Sequence, residues 1–262
     1  MGSVTNLVIY PVKGVSAVSM NACQVFNRGL EHDRRFLIVD HNNRLVTQRE
    51  HAALATMKAV VSPQALNLSH SGKSTNVLTP SADDTRVIVQ IWDDETDAVD
   101  CGDEVAAWLS EILGEPMRLA YMDQCARRQA GRASNPGDEV SFADAYPVMV
   151  ANEASLADLN TKLEQPVPMN RFRPNVIVNG FEPWAEDHWT SLQIGDVKFR
   201  AVSNCGRCLV TTIDQATGEK TGSEPLRTLA TFRTIDQKVV MGRYVIPESY
   251  GIVQVGDKVT AS

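Results

Sequence analysis

Cysteine is scarce in this chain: five in 262 residues, at positions 23, 101, 125, 205 and 208. So sparse and odd a set excludes a disulfide framework and points to thiols in a reducing compartment, with the cytoplasm as the expectation. No apolar run approaches the ~20 residues of a membrane helix. The start, Met1 to Asn6, has neither the basic segment nor the apolar stretch of a signal peptide, so no membrane association is expected. Positive charge is in deficit: Lys+Arg 25 against Asp+Glu 32 gives −7. Such a chain repels nucleic acid unless a local basic patch overrides the total, so no nucleic-acid partner is expected. Gly-x-Gly-x-x-Gly, Gly-x-x-x-x-Gly-Lys and His-x-x-x-His are all missing, and with them the usual nucleotide-loop and helical-zinc signals. Hydrophobic residues at 43% and charged residues at 22% are ordinary for a soluble globular protein, which excludes disorder. A chain of this length hides roughly three-quarters of its extended surface and needs no staples.

What is present reads first as β. Leu7–Tyr10, Phe36–Val39, Leu45–Thr47 and Arg86–Ile91 are strand-like, and the polar pentapeptide Asp40–Arg44 suits a hairpin turn. A helix follows, with Asp103 as its predicted cap, Val105, Trp108, Leu109, Ile112 and Leu113 at helical spacing, and Gly114 and Pro116 at its close. Its apolar stripe is core. The spacing predicts a second helix over Glu153–Leu163, a strand over Asn175–Val178, and a hairpin around Gly195-Asp196. A short helix is expected from Ser223, with Leu226, Leu229 and Phe232 inward, and a strand–Gly-Asp–strand pattern from Gly251 to Thr260. Strands, then helix, then strands with interspersed helices suit α+β with a barrel-like sheet, not alternating βαβ.

Candidate chemistry sits in four places. Gln124–Asp138 is a Gly/Pro-containing loop with Arg127, Arg128 and Arg132, readable as exposed loop or as a rim over an anionic ligand. Asp33-Arg34-Arg35, with Lys13 nearby in sequence order, could recognise phosphate or merely form surface ion pairs. In Arg171-Phe172-Arg173, Pro174 predicts an extended Arg173. If Lys13, Arg34 and Arg173 converge, they form an anion pocket. The fourth place is Cys205-Gly206-Arg207-Cys208. Structural zinc normally needs four ligands, and the chain has neither a second Cys pair nor a histidine after His188. A redox dithiol usually opens a helix, whereas the β-branched residues after Cys208 predict a strand. A single thiolate favoured by Arg207, or holding a soft metal, is a third reading, and a pair of buried apolar thiols a fourth. The carboxylate run Asp93-Asp94-Glu95 reads as a solvated turn.

Several of these blocks together resemble a known family. Tyr10-Pro11-Val12-Lys13-Gly14, Asp33-Arg34-Arg35-Phe36, Val46-Thr47-Gln48-Arg49, Phe172-Arg173-Pro174-Asn175 and the segment Cys205–Asp214 look like MOSC-domain proteins of the YcbX-like and amidoxime-reducing-component type. The resemblance runs from about residue 4 to 260. It implies a β-barrel-like MOSC domain formed by residues 1–35 and 123–262, and a smaller β-rich N-terminal region over 36–122. It also implies a molybdenum cofactor, a molybdopterin whose metal is held by Cys208, with Cys205 a bystander. Family contacts to the pterin and its phosphate map onto Lys13, Gly14, Arg34, Asp144, Ala145, Tyr146, Arg173, Gly206, Arg207 and Tyr244. Gly14 stands where relatives often carry Ser, and Tyr146 where some carry a small residue, so that contact and the pocket shape differ. Several charge-assisted hydrogen bonds to a phosphate contribute about 1.5–3 kcal/mol each, enough together to hold a cofactor without a tether.

The activity so implied is a two-electron reduction of N-hydroxylated compounds such as hydroxylamino-purines, amidoximes and hydroxylamines, with Asp214 or Asp144 as the nearby acid. Some YcbX-like chains carry a fused ferredoxin. Here no cysteine follows Cys208, so a separate donor is expected: a ferredoxin, a flavin reductase or a small haem protein. The competing readings are a sulfur carrier with a Cys208 persulfide, and a non-catalytic cofactor carrier.

Overall fold

The computed structural model describes residues 1–262. Seven strands close into a barrel: β1 (Gly2–Ile9), β2 (Val148–Asn152), β3 (Val176–Asn179), β4 (Ser191–Ile194), β5 (Val197–Gly206), β6 (Lys238–Pro247) and β7 (Lys258–Ala261). Their order in space is β2-β3-β1-β7-β4-β5-β6, and β6 pairs back onto β2. Only the β2–β3 pair is parallel. Strands paired this way are buried on both faces, which is why residues 148–151 and 176–178 read as unbroken apolar runs without alternation.

One hydrophobic cluster joins residues from every barrel strand, Leu7, Val150, Val178, Ile194, Phe199 and Val245 among them. In β1 its members are Val4, Leu7 and Ile9, a phase change that period-2 alternation forbids. A register shift between Val4 and Asn6 against β3 supplies the extra residue and keeps both halves of the strand aimed inward.

After β1 the chain leaves the barrel. Residues 36–121 build a four-stranded antiparallel sheet, in the order Phe36–Asp40, Met117–Tyr121, Asp94–Asp100, Arg86–Ile91, and a three-stranded sheet from Lys58–Val61, Ala65–His70 and Lys73–Leu78. Helix α1 (Asp103–Leu113) seals this unit by burying Val105, Trp108 and Leu109. Gly114 ends the helix at φ +81°, its N–H donating to the Ser110 carbonyl. The cap itself is Gly102. Asp103 is already helical, and its carboxylate accepts from Arg118 at 2.9 Å.

Three further local expectations are corrected. Helix α2 (Glu153–Asn160) stops before Leu163, because the Asn160 side chain turns to bond the backbone of Val167, accepting from its N–H and donating to its carbonyl. Helix α3 (Leu226–Phe232) buries Leu229 but leaves Phe232 36% exposed. Gly256-Asp257 does not close a hairpin: the strand Gly251–Gln254 pairs with Ala22–Phe26, while β7 enters the barrel. The expected α+β class with a barrel-like sheet is what the chain forms, with three α-helices and one closed barrel.

Candidate functional site

The largest chemical concentration lies in a cleft between the barrel and the 36–121 unit. It encloses about 860 Å³ of empty space, its solvent-filled mouth included, in the size range of small-molecule sites. One wall is the end of β5. Two register shifts against β6, between Ala201 and Ser203 and between Asn204 and Gly206, twist the strand just before the cysteine pair. Bulges re-aim side chains in this way beside functional sites.

Cys205 and Arg207 both reach the cleft lining as a result. Cys205 is buried, and Arg207 Nη1 donates to its Sγ at 2.7 Å while Nη2 donates to the Phe172 carbonyl at 2.7 Å. Burial pushes the Cys205 thiol up, with Arg207 and the Tyr244 hydroxyl opposing. Cys205 is thus anchored by Arg207, whose hydrogen bonds go to Cys205 and Phe172 and not to Cys208. Cys208 is half-buried, faces the cleft, and is unbridged. Leu209–Thr212 is a single 3₁₀ turn where β-branching predicts a strand. The Thr211 and Thr212 hydroxyls donate to the carbonyls of Cys208 and Leu209 and close it.

The opposite wall is cationic. Arg34 and Arg173 lie 4.5 Å and 4.1 Å from the centroid of the Tyr10 ring. Buried Asp33 makes this tolerable: it accepts from Arg34 Nη1 at 2.6 Å and from the Tyr10 N–H at 2.8 Å. Arg173 is left-handed (φ 54°, ψ 45°), not extended. It caps the turn Met169–Phe172, its N–H donating to Asn170, and the side chain is held by the Val15 carbonyl and Gln215. Burial pushes its guanidinium down to about 10. Lys13 Nζ donates to Asp144 Oδ1 at 2.6 Å. Burial pushes the Lys13 ammonium down, with Asp144 opposing. Burial pushes Asp144 up, but Lys13, Arg34 and Trp92 outweigh it and hold the carboxyl well below the usual range. Its side chain is nonetheless 59% accessible through the cleft, so the pair is solvent-screened.

Around this space stand Lys13, Arg34, Arg49, Arg173 and Arg207 against one carboxylate, Asp144, in a chain of net charge −7. Arg207 Nε is buried with no hydrogen-bond partner. The cleft is built for an anion.

The MOSC N-terminal beta barrel domain matches residues 1–116 and the MOSC domain residues 137–260. The chain belongs to the MOSC family. Mitochondrial amidoxime-reducing component 1 of Danio rerio is 32% identical, the similarity covering 99% of this chain and 84% of the relative. The Homo sapiens protein of that name is 32% identical over 99% and 82%. Among solved structures, the YUAD protein from Bacillus subtilis is similar with a TM-score of 0.47 and 10% identity, over 98% of this chain and 93% of that one. In this MOSC chain β1 lies in the N-terminal match, yet it is hydrogen-bonded between β3 and β7 of the barrel.

Of the residues picked from the MOSC resemblance, Lys13, Gly14, Arg34, Asp144, Tyr146, Arg173, Gly206, Arg207, Cys208 and Tyr244 line the one cleft. Ala145 and Asp214 do not. Asp214 sits in the next turn, accepting from Arg171 at 2.9 Å and from the N–H groups of Ala216 and Thr217. The basic loop is no rim either: Arg128 is buried and donates to the carbonyls of Ser141, Ala143 and Asp144, and Arg127 pairs with Glu139. Sequence reading missed Trp92 and gave no site role to Gln48 and Arg49 of the Val46–Arg49 block; Trp92 and Arg49 close the mouth from the N-terminal unit, and Gln48 donates to the Gly14 carbonyl at 2.6 Å. The signal for Trp92 was available: a bulky aromatic in the two-residue loop of a hairpin, where Gly, Asn or Asp is favoured.

No three His, Cys, Asp or Glu side chains gather to hold a metal ion. A metal here needs most of its ligands from a bound group. The residues fit a phosphate-bearing one: five cations, an unpartnered buried Arg207 Nε, and a thiol facing the same space.

Proposed function

We propose that this MOSC protein is a molybdenum-cofactor-dependent reductase of N-hydroxylated compounds: R–NHOH, two electrons and two protons give R–NH₂ and water. The observation that supports the reading is the Cys208 thiol in one cleft with five cations, in a chain 32% identical to amidoxime-reducing components. Arg34, Arg173, Lys13 and Arg207 would hold the phosphate and pterin, and the Cys208 sulfur would ligate the metal. When bound, the cofactor would supply the two-electron chemistry that reduces the N–O bond.

The chain's own residues bind and orient. Asp33 fixes Arg34, and the Tyr10 ring spaces Arg34 from Arg173, so the anion-binding groups are set before any ligand arrives. Asp144 stays ionised beside Lys13 and positions that ammonium; it is not the proton donor. Asp214, engaged outside the cleft, is not one either. Protons reach the reaction from water at the mouth. A separate donor delivers the electrons. The proposed setting is the reducing cytoplasm, where all five cysteines, unbridged in the structure, remain thiols; the named relatives are mitochondrial.

The test supplies purified, molybdenum-containing protein with reduced methyl viologen and benzamidoxime, and quantifies benzamidine by chromatography. Conversion that depends on Cys208 supports the reading. Molybdenum-loaded protein that reduces no amidoxime or hydroxylamine under these conditions overturns it.

A further inference from the structure

Trp92 is the first residue of the two-residue loop between paired Ile91 and Asp94, and its φ is +56°. That left-handed position suits glycine, and a bulky side chain there costs about 1–3 kcal/mol. The fold gains little packing in return: the residue is 41% exposed and joins none of the hydrophobic clusters. The indole's hydrogen bond and its cation–π contact both lie at the cleft. Nε1–H donates to Asp144 Oδ1 at 3.2 Å, the same oxygen that holds Lys13, and the Arg49 guanidinium lies 4.9 Å from the ring centroid. Trp92 and Arg49 line the mouth from the N-terminal unit, while the thiol and most of the anion-binding groups come from elsewhere in the chain.

Backbone strain kept for an exposed ring, with that ring fixed on both an edge and a face, marks a functional surface. We propose that Trp92 is a specificity-determining residue whose open ring area stacks flat, conjugated N-hydroxylated substrates at the mouth of the cleft. This rests on the reductase reading above and narrows its substrate class. Arg49 covers part of the indole and locks its rotamer. The hydrogen bond to Asp144 fixes its tilt. An amidoxime or hydroxylamino group conjugated to an aromatic ring presents one continuous plane to such a surface, and a saturated ring of equal bulk does not.

The test is binding, measured by calorimetry on the purified full chain, with benzamidoxime and cyclohexanecarboxamidoxime as size-matched probes. The wild type is expected to prefer the aromatic probe by about tenfold, in the range of aromatic stacking. Trp92→Leu, which keeps apolar bulk, and Trp92→Gly, which relieves the backbone, should both bring the preference below about threefold. Trp92→Phe should retain most of it. Trp92→Gly should also unfold at the same temperature or higher, an outcome that a packing role for the indole contradicts. A wild type without preference, or a preference that survives Trp92→Leu and Trp92→Gly, overturns the proposal. Binding preference as expected in a protein that reduces neither probe when given electrons refutes the reductase reading and leaves the stacking surface standing.

Discussion

Arg207 Nη1 lies 2.7 Å from Cys205 Sγ, two residues back along β5, while neighbouring Cys208 turns to the open cleft. The two cysteines therefore differ in setting, one hydrogen-bonded to Arg207 and the other facing the open cleft.

Removing each should separate these roles. Cys205→Ala leaves the buried guanidinium short of a partner and should destabilise by about 2 kcal/mol. Cys208→Ser, at a half-buried site, should stay within about 0.5 kcal/mol of wild type. Urea denaturation followed by circular dichroism gives both values. Equal effects would contradict the division.

Arg128 is structural. It is buried and fastens the carbonyls of Ser141, Ala143 and Asp144. Arg128→Ala should cost about 3 kcal/mol or more, because three carbonyls lose a charged donor. Denaturant titration measures it. A surface-sized effect would restore the reading of this segment as a mobile rim.

Arg173 should matter for anions. Arg173→Ala should weaken the binding of inorganic pyrophosphate to cofactor-free protein by about tenfold. Raising the salt concentration should narrow the gap between wild type and variant. Calorimetric titration at two ionic strengths is the measurement. Unchanged affinity would show that the cationic wall does not bind anions.

Cys23 gives a signed pH dependence. Burial raises its thiol from the ordinary 9.0 to about 12, with a backbone hydrogen bond at Glu31 opposing. The folded state then holds a proton that the unfolded chain releases. The contribution to stability is complete below about pH 9 and is lost as pH rises toward about 12, by no more than about 1.4 kcal/mol per pH unit. The stability gap between wild type and Cys23→Ala should therefore shrink across that window. A constant gap in urea midpoints from neutral to alkaline pH would contradict it.

The local parts of this molecule were legible in its sequence. Val176–Val178, the Gly195-Asp196 hairpin and the stripe of α1 follow from patterning, and the blocks that carry the family resemblance bring Lys13, Arg34 and Arg173 to one cleft, whereas the basic loop lies outside it. Most of what the sequence hid was nonlocal. Arg171 draws Asp214 away across 43 positions, and the hydroxyls of Thr211 and Thr212 convert a β-branched run into a turn. Arg173 gives up the extended backbone that Pro174 favours in order to reach Tyr10, Val15 and Gln215. Trp92 gains meaning only because a separate unit closes over the barrel.

The central claim is that the Cys208 sulfur ligates a molybdenum held beside the cationic wall. Elemental analysis of freshly purified wild type and Cys208→Ser tests it most directly. Stoichiometric molybdenum is expected in the wild type, with its loss in the folded variant. Undiminished molybdenum in Cys208→Ser, or a wild type with no molybdenum and a labile sulfane sulfur on Cys208, would contradict it.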